Sequence, residues 1–405
     1  MSNRSSVRLC GIILFALCPL ALAQNFTLIH AFSGPPSDGA NPFGGLTFDG
    51  AALYGTTETG GASCCGTIFK LTGNGLETVL YNFSGGVDQG FPAGTLIRDA
   101  AGNLYGTAQN GERFGAGSVF QVTPSGELTT LYQFTNGTDG GDPRSGLIRD
   151  ENGNLYGTAS SGGVLSCNGG GGCGVVFKVD PAGKENVLYA FDAIAGGQFP
   201  VSSLVHDGAG NLYGTTPTGG NTACNAPYGC GVVFKLSPTG KETVLHTFAG
   251  GSDGAFPEAG LSPDGRGGSY GTTAEGGGTG CLGIGCGIVF RINGSGFSIV
   301  YRFQGSPDGA YPDANVVTDP TGNVYGTTEY GGSTECAPLG CGTVFKLDGT
   351  GKESVLHTFH MATDGGAPLD PLVRDSAGNL YGTTSNWGPS TCNQYGCGTV
   401  FRLTP

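Results

Sequence analysis

Cysteine is the residue type whose spacing speaks first. Of 14 cysteines, ten fall in close pairs: Cys167 with Cys173, Cys224 with Cys230, Cys281 with Cys286, Cys336 with Cys341, and Cys392 with Cys397. Pairs five or six positions apart serve either as disulfides or as half-sites for zinc. A tetrahedral zinc site needs two such loops or added histidines brought together. None of these loops holds a histidine, and each lies in its own repeat, so disulfides are expected and no metal or other cofactor. On the chain-entropy model, closing loops this short constrains the unfolded chain by roughly 2 kcal/mol each. Cys64 and Cys65 are adjacent, and the sequence leaves their state open.

Carboxylates form a second regular set. Asp38, Asp88, Asp139, Asp253, Asp308 and Asp364 each follow a phenylalanine by a few residues, and Gly196 takes that position in a seventh segment. One reading is a ring of acceptors for a sugar or a cation. The other is an aspartate that caps backbone amides in a tight loop ahead of Pro92, Pro143, Pro257, Pro312 or Pro368, and the constant nine-residue step from phenylalanine to proline favours it. Calcium wants several oxygens from one loop, and one carboxylate per loop is thin. Tyr228, Trp387 and Tyr395, all in glycine-rich loops, are candidate contacts for a partner. Phe91, Phe199, Phe256 and Tyr311 before the prolines read as wedges. His30, His246 and His357 share a position that other segments fill with Tyr81, Tyr132, Tyr189 and Tyr301, which marks a structural slot. The sequence shows no nucleophile–base pair or paired-carboxylate site.

The elements that must position these residues recur. Tyr-Gly-Thr stands at Tyr54, Tyr105, Tyr156, Tyr213, Tyr270, Tyr325 and Tyr381, and 80 glycines follow the same period. Each period reads as four short strands, here called a to d, such as Gly146–Arg149, Asn154–Thr158, Val175–Val179 and Asn186–Phe191. Asp150-Glu151-Asn152-Gly153-Asn154 makes an a–b turn, and Pro238-Thr239-Gly240 a c–d turn. Four antiparallel strands repeated seven times predict an all-β, seven-bladed β-propeller over residues 24–405. The last repeat lacks strand d, and residues 26–32 supply one, so the N-terminal strand is expected to complete the last blade and close the ring. In such a blade the b–c and d–a loops share one face, the expected binding surface.

The order Gly-Asn-Leu-Tyr-Gly-Thr-Thr, Gly-Gly, then Cys-Gly-Thr-Val-Phe-Lys-Leu resembles the GloVer tandem repeat of exported "choice-of-anchor" bacterial proteins across nearly the whole chain. The resemblance implies an exported repeat protein and brings no catalytic residues. Members typically end in an anchoring segment; nothing follows Pro405 here, so release into the periplasm or medium is expected.

Arg4 and Arg8, the apolar run Leu9–Leu22 and Ala21-Leu22-Ala23 form the pattern of a signal peptide over residues 1–23. No other stretch is apolar enough to span a bilayer. With 31 acidic against 18 basic residues the formal charge is −13, which repels phosphate backbones and excludes nucleic acid as a natural partner. The expected product is a secreted, monomeric binding module that presents its loop face to a glycan or an exported protein. The alternatives are an envelope scaffold and a carbohydrate-active hydrolase or lyase. An enzyme should break the repeat symmetry with charged residues at inner loop ends, whereas a multivalent binder should keep like groups in many blades.

Overall fold

The computed structural model describes residues 24–109, 116–192, 194–336, 338–389, 392 and 396–404. The signal-peptide segment and Tyr395 lie outside them. Seven antiparallel sheets follow one another around a ring, each with strands in the order a-b-c-d, which is a seven-bladed β-propeller. The third blade is typical: Ile148–Arg149, Leu155–Ala159, Val175–Val179 and Glu185–Ala190. The first blade carries a further strand, Gly39–Pro42, paired with its strand b.

Each residue of Tyr-Gly-Thr has its own task. The tyrosine hydroxyl reaches the a–b turn, as in Tyr213 to Asp207 at 2.9 Å and Tyr105 to Asp99 at 3.0 Å. The glycine lies under the ring of the strand-c phenylalanine; a Cβ on Gly214 would stand 2.7 Å from Phe234 Cζ. The threonine hydroxyl crosses to the loop entering the next blade: Thr107 to Ser145 O at 2.8 Å, Thr158 to Ser202 O at 3.0 Å, and Thr215 to Ala259 O at 2.7 Å. The tripeptide therefore closes a turn, admits a core ring and joins neighbouring blades.

Phenylalanine fills the space between blades. The residue that ends strand d of one blade meets the strand-c phenylalanine of the next edge-to-face, from Phe32–Phe69 at 5.2 Å through Phe191–Phe234 at 5.4 Å to Phe359–Phe401 at 5.1 Å. Phe69, Phe177, Phe234, Phe345 and Phe401 are wholly buried. Such pairs add about 0.5–1.5 kcal/mol each to what their burial contributes. A bulge interrupts every c–d pairing at the same place, for instance between Val176 and Phe177 opposite Tyr189 and Val187. It re-aims the strand-d tyrosine or histidine toward its own loop.

The ring closes as the termini require. Asn25–Ala31 pairs antiparallel with Thr399–Thr404, from Asn25 opposite Thr404 to Ala31 opposite Thr399, and so becomes the outer strand of the last blade. Among the described residues no helix is long and apolar enough to cross a membrane.

Candidate functional site

The repeated aspartates sit beside the outer strands and work inside their own loops. Asp88 accepts from Tyr81 Oη at 2.9 Å, Ser84 N at 2.9 Å and Ser84 Oγ at 2.6 Å. Asp139 accepts from Tyr132 Oη and Thr135 N, each at 2.9 Å. Asp253 and Asp364 face the slot histidines, His246 at 3.2 Å and His357 at 2.8 Å, and accept from the Ala249 and His360 amides. Asp308 accepts from Tyr301, Gln304 N and Gly309 N, and Asp38 from the Ser33 and Gly39 amides. Where Gly196 replaces the aspartate, Tyr189 donates instead to Glu242 of the next blade at 2.9 Å. This is the amide-capping geometry, and none of the six carboxylates lines the central channel.

The close cysteine pairs stand at disulfide distance, with Cα–Cα separations of 5.0 to 5.9 Å, and Cys64 is joined to Cys65. Their second member does more than close a loop. Its carbonyl accepts the amide of the residue before the d–a proline: Phe199 N to Cys173 O at 2.9 Å, Phe256 N to Cys230 O at 3.0 Å, and Tyr311 N to Cys286 O at 2.9 Å. In the blade with no cysteines Ala116 O takes the Asp142 amide at 2.8 Å. All seven residues before that proline hold a left-handed backbone, φ +52° to +57°, although none is glycine. Such a conformation costs free energy and persists where surrounding bonds enforce it. Here it turns the chain inward, so the residue after the proline faces the channel.

At those inward positions the repeat loses its regularity. The residue after the proline is Phe43, Ala93, Arg144, Val201, Glu258, Asp313 or Leu369, and strand b leads into Glu58, Gln109, Ser160, Pro217, Ala274, Glu329 or Ser385. Around a channel cavity of about 720 Å³ these positions gather Glu58, Arg144, Glu258, Asp313 and Glu329, joined by Asp370 one residue further along its loop. Burial pushes the Asp313 carboxyl well above the usual carboxylate range, helped by the charges of Glu258, Glu329 and Glu275. Burial also raises Glu329, while hydrogen bonds from Tyr330 and Asp313 oppose it, so the pair holds a proton more readily than an isolated carboxylate. Asp313 Oδ1 finds no partner among the described residues. Glu58 and Glu258 are raised by burial against the pull of Arg144. Asp370 is pushed up to about 6 by burial, while Thr383 Oγ1 and Gly44 N, each 2.7 Å away, oppose it. A cleft holding both protonated and ionised carboxyls can donate and accept at once.

The remaining loop candidates divide. Tyr228 is 53% exposed on its loop, whereas Trp387 is half-buried at φ +58° against the cluster of Leu372, Phe401 and Met361. The channel acids went unread in the sequence because they do not recur. The available signal was the break in pattern after each proline.

The chain carries the Gloeobacter/Verrucomicrobia repeat over residues 11–225, 163–284 and 220–405, and it belongs to that family. No curated protein is significantly similar to it in sequence. Among solved structures it is similar to a protein described as a gluconolactonase, at 10% identity and TM-score 0.45, covering 94% of this chain and 92% of the other. A glucose dehydrogenase-type oxidoreductase from Thermus thermophilus matches at 15% identity and TM-score 0.42, covering 76% and 95%. The GH74 enzyme of Niastella koreensis matches at 13% identity and TM-score 0.48, covering 80% of this chain and 47% of that one.

Proposed function

We propose that this is an exported binding protein that takes a hydroxyl-rich ligand, the end of a glycan, at the acidic mouth of its central channel. One observation supports a single ligand site at the channel over a multivalent loop face: the sevenfold pattern is broken by charged groups at the inner loop ends around the channel cavity. That is also the break expected of an enzyme, so the second reading below rests on it equally. A proton held within the Asp313–Glu329 pair offers a donor and an acceptor together, which matches neighbouring sugar hydroxyls. Arg144 adds a fixed cation, held to Asp142 at 2.8 Å. The signal-peptide pattern and the cysteine pairs support delivery to an oxidising compartment outside the cytoplasm.

A second reading has its own support. Glycoside hydrolysis needs a protonated and an ionised carboxyl flanking the scissile bond, roughly 5–9.5 Å apart, one as acid and the other as base or nucleophile. The cavity is lined by several carboxyls raised to different degrees by burial. The same experiment separates the two. The purified protein is screened on a glycan array, and any ligand is incubated with it and examined for products. Binding without products supports the first reading, and products abolished by Glu329→Gln support the second. If neither binding nor turnover occurs on any sugar, both readings fall and a scaffold role stands.

A further inference from the structure

Each blade junction on the outer rim brings three side chains together: the strand-d tyrosine or histidine, the d–a loop carboxylate, and the residue that the next blade's outer strand presents. At some junctions the three satisfy one another, while Glu185, Glu242 and Glu353 each keep one buried carboxylate oxygen unpartnered. Tyrosines donate directly, as Tyr132 does to Asp139. His246 and His357 approach Asp253 and Asp364 at 3.2 and 2.8 Å, and each is stacked by an aromatic ring of the next blade, Phe297 at 3.6 Å and Phe26 at 3.9 Å.

The junction where the ring closes differs. There the slot holds histidine, and the next blade presents a carboxylate in place of a ring. His30 Nε2 lies 3.5 Å from Asp38 Oδ2 and 3.7 Å from Glu77 Oε2, and it hydrogen-bonds to neither. Glu77 Oε1 is likewise buried and unpartnered. The three ligand atoms fall within 4.8 Å of one another. Atoms about 2.0–2.1 Å from a tetrahedral ion stand roughly 3.4 Å apart, so the two gaps to His30 suit a shared ion better than a direct bond, with the carboxylates drawing in around it.

We propose that His30, Asp38 and Glu77 bind one divalent transition-metal ion of the zinc type at the seam between the last and first blades. The imidazole nitrogen selects such an ion over calcium or magnesium, which take oxygen ligands. Asp38 is already oriented by the Ser33 amide and hydroxyl and by the Gly39 amide, the kind of outer support that fixes a ligand carboxylate. Two carboxylates close together need a compensating cation. The side chains are 17%, 8% and 13% exposed, so an ion can enter from the rim and the solvent can supply a fourth ligand. Bound there, it pins the N-terminal strand, whose only in-sheet neighbour is the last strand of the chain, to the first blade.

The test uses the purified protein, stripped with a chelator and titrated with zinc chloride, and separately with cobalt(II) chloride for its visible spectrum. One tight equivalent is expected, with an intense low-symmetry cobalt band and a zinc-dependent rise in Tm. His30→Tyr places in the slot the residue that other blades carry, so it should fold with an unchanged circular dichroism spectrum. It should lose the equivalent and the cobalt band together, and Glu77→Gln should weaken binding roughly tenfold or more. A folded wild-type protein that takes up no zinc would overturn the proposal, leaving a histidine between two carboxylates and no ion. An equivalent that survives His30→Tyr would overturn it equally.

Discussion

Asp313 and Glu329 share a proton because both face a channel wall that other acids already make negative. Their expected behaviour follows from that sign. A role that uses protonated Asp313 is present below its raised pKa and lost as pH rises through it, so ligand affinity should fall on the alkaline side in a pH series of titrations. Asp313→Ala should weaken binding at least tenfold, about 1.4 kcal/mol, by removing the donor, whereas Asp313→Asn keeps a neutral donor there and should bind without the alkaline loss. Its Tm should hold or rise, because a crowded acid has been removed from the site. The repeated aspartates were legible in the sequence because they repeat, and they repeat because every blade must hold the same loop. Asp313, Glu329, Glu258 and Arg144 stand at positions filled in other blades mostly by uncharged residues, among them Phe43, Ala93, Val201, Leu369, Gln109, Ser160 and Pro217. Read linearly they look like drift, and only the ring brings them together.

At the scale of strands and loops, the sequence showed which segments form strands and which cysteines pair, since alternation, turn residues and joint presence are local signals. Contacts between blades were not local. The glycine of Tyr-Gly-Thr illustrates this, for its reason is the phenylalanine ring over it. Gly214→Ala should cost about 1–3 kcal/mol through overpacking against Phe234, while Gly208→Ala, with nothing near its Cβ, should be close to neutral in urea unfolding. The cysteine pairs were expected as disulfides that close short loops. The structure adds that their carbonyls fix the inward turn before each proline. Removing one pair as Cys224→Ala with Cys230→Ala should lower stability by about 2 kcal/mol. It should also loosen the neighbouring Glu258, measurable as lower affinity at the channel.

The whole molecule carries two opposed sets of acids. Aspartates at the a–b turns, among them Asp99, Asp150, Asp207 and Asp375, stay below the usual range: burial opposes this, but bonds from the following asparagine, the tyrosine and backbone amides prevail. Asp207 reaches about 2. Their stabilisation is complete above the unfolded value, near 3.9, and is lost as pH falls through the folded values. Glu77, Glu185 and Glu353, raised to about 7 chiefly by burial, act in the other direction. Between the unfolded value near 4.3 and about 7 the native state holds more protons than the unfolded one, so stability falls as pH rises across that window. A net charge of −13 pushes the same way. Scanning calorimetry should therefore find Tm highest near pH 5, with lower values at pH 3 and at pH 8. A maximum at pH 8 would contradict this balance of acids.

The claim that chemistry lies where the ring departs from its own repeat is tested most directly by one comparison. A glycan recovered from the array is titrated calorimetrically into the wild type, the Asp313→Ala/Glu329→Ala double variant and Tyr228→Ala. Binding should vanish in the channel variant and remain unchanged when the exposed loop tyrosine is removed. Full affinity in the channel variant, with loss on Tyr228→Ala, would put the ligand on the outer loops and contradict the account.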